Sequence, residues 1–151
     1  MVQIFIDADA CPVKDETLRV ADRHKLKTTL VSDGGIRPSA NPLVETVVVS
    51  QGADAADDWI AEHIDRADIC VTNDIPLAAR CLEKGAFAIK PNGDAFTEAG
   101  IGMALATRDL MQSLREAGTV SGGPRPFSKA DWSNFLNRLE TMVQAAKRAN
   151  R

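Results

Sequence analysis

The chain predicts an α/β fold: a mostly parallel five-stranded sheet flanked by helices in three layers, with a helical extension at the C-terminus. Three observations predict it. Short apolar runs recur at 2–7, 28–32, 45–50, 68–72 and 86–90, helical periods fill most of the gaps, and the runs are nearly continuous rather than alternating. Strands apolar on both faces and joined by helix-length segments build a parallel sheet covered on both sides.

The first strand, Val2-Gln3-Ile4-Phe5-Ile6, runs out at Asp7. Pro12, whose ring favours a first helical position, opens a helix to about His24 with Val13, Leu18 and Ala21 among its apolar positions. Thr28-Thr29-Leu30-Val31-Ser32 is the second strand, and the link 33–42 carries two Gly and two Pro, too broken for a long helix. It is a rim loop or a plain connection. After the third strand a helix over 54–65 places Ala53, Asp57, Ile60 and Ile64 on one stripe. The fourth strand follows, then a helix from Pro76 to Lys84 stopped by Gly85, then the fifth strand. Beyond Asn92-Gly93 a helix over 97–117 offers Met103, Leu105, Leu110, Met111 and Leu114 for packing. Gly118 to Pro126 reads as a linker, which divides the chain into a domain over 1–117 and an extension over 118–151. The last helix, 128–149, opens on Ser128-Lys129-Ala130-Asp131 and carries Trp132, Phe135, Leu136, Leu139 and Val143 at helical spacing. That stripe docks on its own domain or on a second copy of the chain.

At 151 residues the chain can bury a full core without staples. Its three cysteines, Cys11, Cys70 and Cys81, are odd in number and lack C-x-x-C spacing, which argues against a disulfide framework and a structural zinc site. With no export signal and no apolar run near the roughly 20 residues of a membrane span, the expectation is a soluble cytoplasmic protein. Residues 1–107 hold 10 Lys and Arg against 17 Asp and Glu, whereas 108–151 hold 8 against 4. An acidic body thus carries a basic tail, suited to a phosphate backbone or simply a solvated helix face. Aromatic residues make up 5% with no Tyr, so no base-stacking platform is evident.

The chemistry concentrates in carboxylates. Strands of a parallel sheet point one way, so Asp7 and Asp9 after the first strand, Asp54 and Asp57 at the start of the second helix, and Asp74 after the fourth strand should share the carboxyl edge, where α/β sheets bind ligands. Each acid also has a local role open to it, as an N-cap or a dipole partner at a helix start. Asp57 fits that role least, because it shares the stripe of Ile60 and Ile64 and needs a partner there. Converging carboxylates repel unless a cation holds them ionised, which favours Mg²⁺ or Mn²⁺ over pure acid/base work. Such ions lower the pKa of a bound water and stabilise the leaving oxygen of a phosphodiester. His24 ends the first helix and His63 lies within the second, so a histidine base is not expected; the nearby acids disfavour a Cys11 thiolate.

Read together, Asp7-Ala8-Asp9-Ala10-Cys11-Pro12-Val13, Gly52-x-Asp54-x-Ala56-Asp57, Val71-Thr72-x-Asp74-Ile75-Pro76-Leu77-Ala78, Gly122-Gly123-Pro124 and Phe127-Ser128 resemble the bacterial YaiI/YqxD family, over nearly the whole chain. That family is itself without an established activity and looks like a relative of the PIN-domain nucleases. The resemblance implies a PIN-like three-layer fold with an Mg²⁺ or Mn²⁺ site of Asp7, Asp9, Asp57 and Asp74, and Asp54 as a fifth ligand. Two departures stand out: Trp132 follows Asp131 where the family often has Arg, and Pro91-Asn92-Gly93 lacks a basic residue common there. Three functions compete. The first is a metal-dependent nuclease acting on RNA or single-stranded nucleic acid through Asp7, Asp9, Asp57 and Asp74. The second is a phosphatase with Asp7 as nucleophile and Asp9 as acid/base, in which Ser32 mimics a second motif. The third is a non-catalytic module that binds a cation or a basic partner.

Overall fold

The computed structural model describes residues 1–9, 11–34, 38–50, 52, 54–118 and 127–150. In chain order the elements are β1 (Gln3–Asp7), α1 (Lys14–Arg23), β2 (Lys27–Ser32), β3 (Val44–Val48), α2 (Ala55–His63), β4 (Ile69–Val71), α3 (Ile75–Glu83), β5 (Phe87–Ile89), β6 (Ala95–Phe96), α4 (Glu98–Glu116) and α5 (Lys129–Ala149). Every predicted strand and helix is present. The sheet has a sixth strand beyond the expected five: β6, two residues long, folds back antiparallel on β5. Gly93 makes that return possible with φ +97°, a backbone that L side chains rarely adopt. A two-residue strand leaves no periodic trace, which is why the sequence does not announce it.

Strand order is β3-β2-β1-β4-β5-β6, parallel from β3 through β5. The chain winds outward from β1 through β2 to β3, then crosses to the other side of β1 for β4 and β5. β1 and β4 therefore flank the switch point, where crossover connections diverge and leave a crevice at the carboxyl ends. Pairing tightens that edge, because the Ala8 amide donates to the Val31 carbonyl at 2.9 Å and the Thr72 amide to Ile89 at 3.1 Å. The strand ends carrying the acids are thus fixed.

Two apolar layers sandwich the sheet. Ile4, Ile6, Val71 and Ile89 pack on one face with Val13, Val20, Phe135, Leu139 and Val143 of the α1 and α5 side. Phe5, Val31, Cys70 and Ala88 pack on the other with Ile60, Ile64, Leu77, Ala78 and Cys81 of α2 and α3. The Phe135-Leu139-Val143 stripe lies against its own sheet. At the start of α5, Ser128 and Asp131 form a capping box, with each side chain meeting the other's backbone amide. Trp132 turns back to α1, donating from its indole to the Pro12 carbonyl at 3.3 Å and meeting the Phe127 ring edge-on at 4.7 Å.

Some expectations need correcting. α1 starts at Lys14 with Val13 as its N-cap, so Pro12 precedes the helix rather than opening it. His63 is the last residue of α2 rather than an interior one. α4 lies outside the main layers against α3, and none of its residues is fully buried. Met103 and Leu110, expected to pack, are 74% and 59% exposed, while Leu105, Met111 and Leu114 are half-buried. Their spacing gives a helix but cannot say that its neighbour covers only one side. The Gly122-Gly123-Pro124 motif, most of the 118–126 link, Ala10, Gln51, Ala53 and part of the 33–42 loop lie outside the described residues.

Candidate functional site

At the switch point Asp7, Asp9, Cys11, Thr72, Asn73, Asp74, Pro91 and Arg108 line a crevice of about 350 Å³. Asp7 ends β1, and its Oδ2 accepts a hydrogen bond from the Thr72 hydroxyl at 3.0 Å. That same hydroxyl oxygen accepts from the Asp74 amide at 2.9 Å, so Thr72 ties the two acid-bearing strand ends together. Asp74 is the N-cap of α3: its Oδ1 accepts from the Leu77 amide at 2.9 Å, and Pro76 fills the first turn, where no amide is needed. Cap and site residue are therefore one side chain.

Asp9 is exposed and anchored to the end of β2, accepting from the Ser32 hydroxyl at 2.8 Å and from the Asp33 amide at 3.2 Å. Ser32 itself is buried and accepts from the Gly34 amide at 3.1 Å. Asp57 does not line the crevice. It stands behind Asp74 on the inward stripe of α2, hydrogen-bonded to the Asp74 side chain, while Ile60 and Ile64 below it are fully buried. Asp54 is the N-cap of α2 by position, yet its side chain makes no capping bond, and it reaches the cluster through its charge alone. Asp58 points elsewhere, to Arg80 of α3 at 2.7 Å.

The electrostatics follow from this crowding. Burial is the main cause that pushes the Asp57 carboxyl up to about 7, followed by the charge of Asp74, the hydrogen bond to it, and the charges of Asp7 and Asp54. Asp57 therefore carries a proton, donated to Asp74, up to near-neutral pH. Burial also raises Asp7, opposed by the Thr72 hydrogen bond and reinforced by Asp74 and Asp9. Burial raises the Cys11 thiol, so it stays protonated and is no nucleophile. Neither histidine lines the crevice: His24 bonds Glu140 of α5 at 2.7 Å, and His63 stacks on Trp59 at 3.8 Å.

The donors at this edge are hard oxygens, the set that suits Mg²⁺ or Mn²⁺. Among the described residues no three Asp, Glu, His or Cys side chains are placed to hold one ion together. Mg²⁺ does not require three, because it keeps several waters and commonly takes one or two carboxylates. Asp7 and Asp74, both in the crevice lining, are the two carboxylates that could hold such an ion.

The model of the family described as "Uncharacterized BCR, YaiI/YqxD family" matches residues 5–145. The chain belongs to this family. A UPF0178 protein of Paramagnetospirillum magneticum is 57% identical over 148 residues, 98% of each chain. A second, from Ruegeria pomeroyi, is 55% identical over 150 residues, covering 98% of this chain and 97% of its own. No solved structure matches. The family description names no reaction, so chemistry has to be argued from the crevice.

Of the residues expected at the site, Asp7, Asp9 and Asp74 meet in the crevice, Asp57 joins through Asp74, and Asp54 stays at the margin. Three contributors escaped sequence reasoning. Thr72 was visible as the residue ending the fourth strand, and Asn73 as its neighbour. Arg108 had a fainter trace, its seven-residue spacing from Ile101.

Proposed function

We propose that this family member is a divalent-metal-dependent phosphodiesterase acting on RNA or single-stranded nucleic acid at the Asp7–Asp74 crevice. The observation that carries the reading is the meeting of Asp7 and Asp74 in one crevice at a sheet switch point, tied together through Thr72, beside Asp57, whose carboxyl is pushed up to about 7 by burial and then by the neighbouring carboxylates. Such a cluster is costly without a cation and relaxed with one. Asp7 and Asp74 would hold the ion, with Asp9 and Asp57 completing its charge environment. There it would supply Lewis-acid stabilisation to the oxygen that departs from phosphorus.

The chain's own groups account for the remaining roles. Thr72 orients the Asp7 carboxylate, and the first turn of α3 fixes that of Asp74, so both acids are preorganised rather than mobile. Asp57, beside Asp74, titrates near neutrality in the metal-free protein, and a cation bound at Asp7 and Asp74 would favour its ionised form. The phosphatase alternative is weaker, because both oxygens of Asp9, its required acid/base, are already engaged by Ser32 and Asp33.

The test pairs calorimetry with cleavage. Wild-type protein should bind Mn²⁺ and cut a fluorescent single-stranded RNA, and Asp7→Asn combined with Asp74→Asn should abolish both. Unchanged Mn²⁺ binding in the double variant would overturn the reading.

A further inference from the structure

Arg108 is the only cation lining the crevice among the described residues. Its place on α4 is unusual. Ile101 and Leu105 form the half-buried stripe of that helix; Ile101 packs against the α2/α3 core layer, and both line the shallow groove beside Ala79 and Leu82 of α3. Position 108 falls four and then three residues further along, on the same face and about 10 Å from Ile101. A long apolar residue would continue the stripe there. Instead the position carries an arginine, and Arg108 lines the acidic crevice.

Three carboxylates share that crevice, yet Arg108 forms no ion pair with Asp7, Asp9 or Asp74. Its ion pair is with its sequence neighbour Asp109, at 3.7 Å through one nitrogen, and the two side chains are 44% and 77% exposed. A contact that long and exposed is worth little. The planar fork keeps most of its five donors for a ligand, and it matches phosphate geometry. A bare acidic crevice repels phosphate, whereas one arginine in its lining gives the anion a landing point beside the carboxylates. The volume, about 350 Å³, admits a unit of nucleotide size.

We infer that Arg108 binds the phosphodiester of a single-stranded nucleic acid entering the crevice beside Asp7 and Asp74. This deepens the function proposed above and rests on it for the reaction, though not for the binding. Asn73, also in the crevice lining, contributes a second hydrogen-bonding side chain.

The experiment is fluorescence anisotropy of a labelled 12-nucleotide single-stranded RNA, with Mn²⁺ and again with EDTA, RNA integrity being checked on a denaturing gel. Arg108→Ala should weaken binding about tenfold and lower the salt slope by about one. Arg108→Lys should recover only part of the loss, because a point charge replaces a fork. Arg115→Ala, on the same helix but outside the crevice lining, should change affinity less than twofold. Calorimetry should show the same Mn²⁺ affinity in Arg108→Ala as in wild type. Equal effects of Arg108→Ala and Arg115→Ala, or no RNA binding by wild type, would overturn the assignment. Full displacement of RNA by low-millimolar inorganic phosphate would also overturn it, by showing a free-phosphate site. Failure of wild type to bind Mn²⁺ would instead sink the metal reading, and the EDTA series would still judge Arg108.

Discussion

Replacing Asp57 by Asn changes the stability of this protein in a pH-dependent way whose sign the crevice dictates. In the folded chain the Asp57 carboxyl moves from an ordinary 3.8 to about 7, because burial and three neighbouring carboxylates disfavour its charge. A folded pKa above the unfolded one means that the native state binds the extra proton. The associated stability is complete below about pH 4 and is lost as pH rises through about 7. About three units at roughly 1.4 kcal/mol each set a ceiling near 4 kcal/mol. Asp57 is only partly buried, so solvent screening reduces this to about 1–2 kcal/mol. Asp57→Asn keeps the shape, and the new amide donates to Asp74 as the shared proton did. At pH 4 the variant should be close to wild type, and at pH 8 it should be more stable by about 1–2 kcal/mol. For a chain of this size that is a rise of about 2–8 °C in Tm. Urea and thermal melts at both pH values measure it, in metal-free buffer. Parallel pH profiles for wild type and variant would refute the reasoning, since Asp57 would then ionise as an ordinary surface carboxylate. Saturating Mn²⁺ should narrow the gap at pH 8 by stabilising the wild type.

Two further substitutions probe the frame that holds the crevice. Gly93→Ala would put a Cβ 2.8 Å from the carbonyl carbon of Asn134 at a φ of +97°, so α5 must shift or the β5–β6 turn must open. A loss of about 2–3 kcal/mol, read by urea melts, is expected, and a near-neutral result would show that the turn relaxes freely. Phe135→Ala removes a fully buried ring between α5 and the sheet, and should cost about 3–5 kcal/mol in the same assay. A loss under 1 kcal/mol would mean that α5 is not part of the cooperative core.

Much of the fold is legible in the residues themselves, because periodicity reports burial. Ile4-Phe5-Ile6 and Ile69-Cys70-Val71 are buried on both sides in a parallel sheet, and their lack of alternation says so. Asp57 announces itself by standing on the stripe of Ile60 and Ile64, where a carboxylate needs a partner. The weak opening of the last helix, Ser128 to Asp131, proves to be a full capping box. Where local signals fail, the cause is equally physical. β6 is too short to carry a period, and the exposure of Met103 and Leu110 depends on what α4 happens to face.

By itself the sequence determined the number and order of the main elements, their parallel sense, and the placing of Asp7, Asp9, Asp57 and Asp74 toward one edge. These follow from local chemistry: apolar spacing, caps and turn residues. Only the tertiary structure decided that β4 crosses to lie beside β1, which brings Thr72 between Asp7 and Asp74 and makes one crevice of two strand ends. Only it joined Asp57 to Asp74 and left Asp54 at the margin, and only it brought Arg108 into the crevice lining. Strand order and helix placement depend on contacts between residues far apart in the chain, such as the 65 positions that separate Asp7 from Thr72. No local pattern encodes such a meeting.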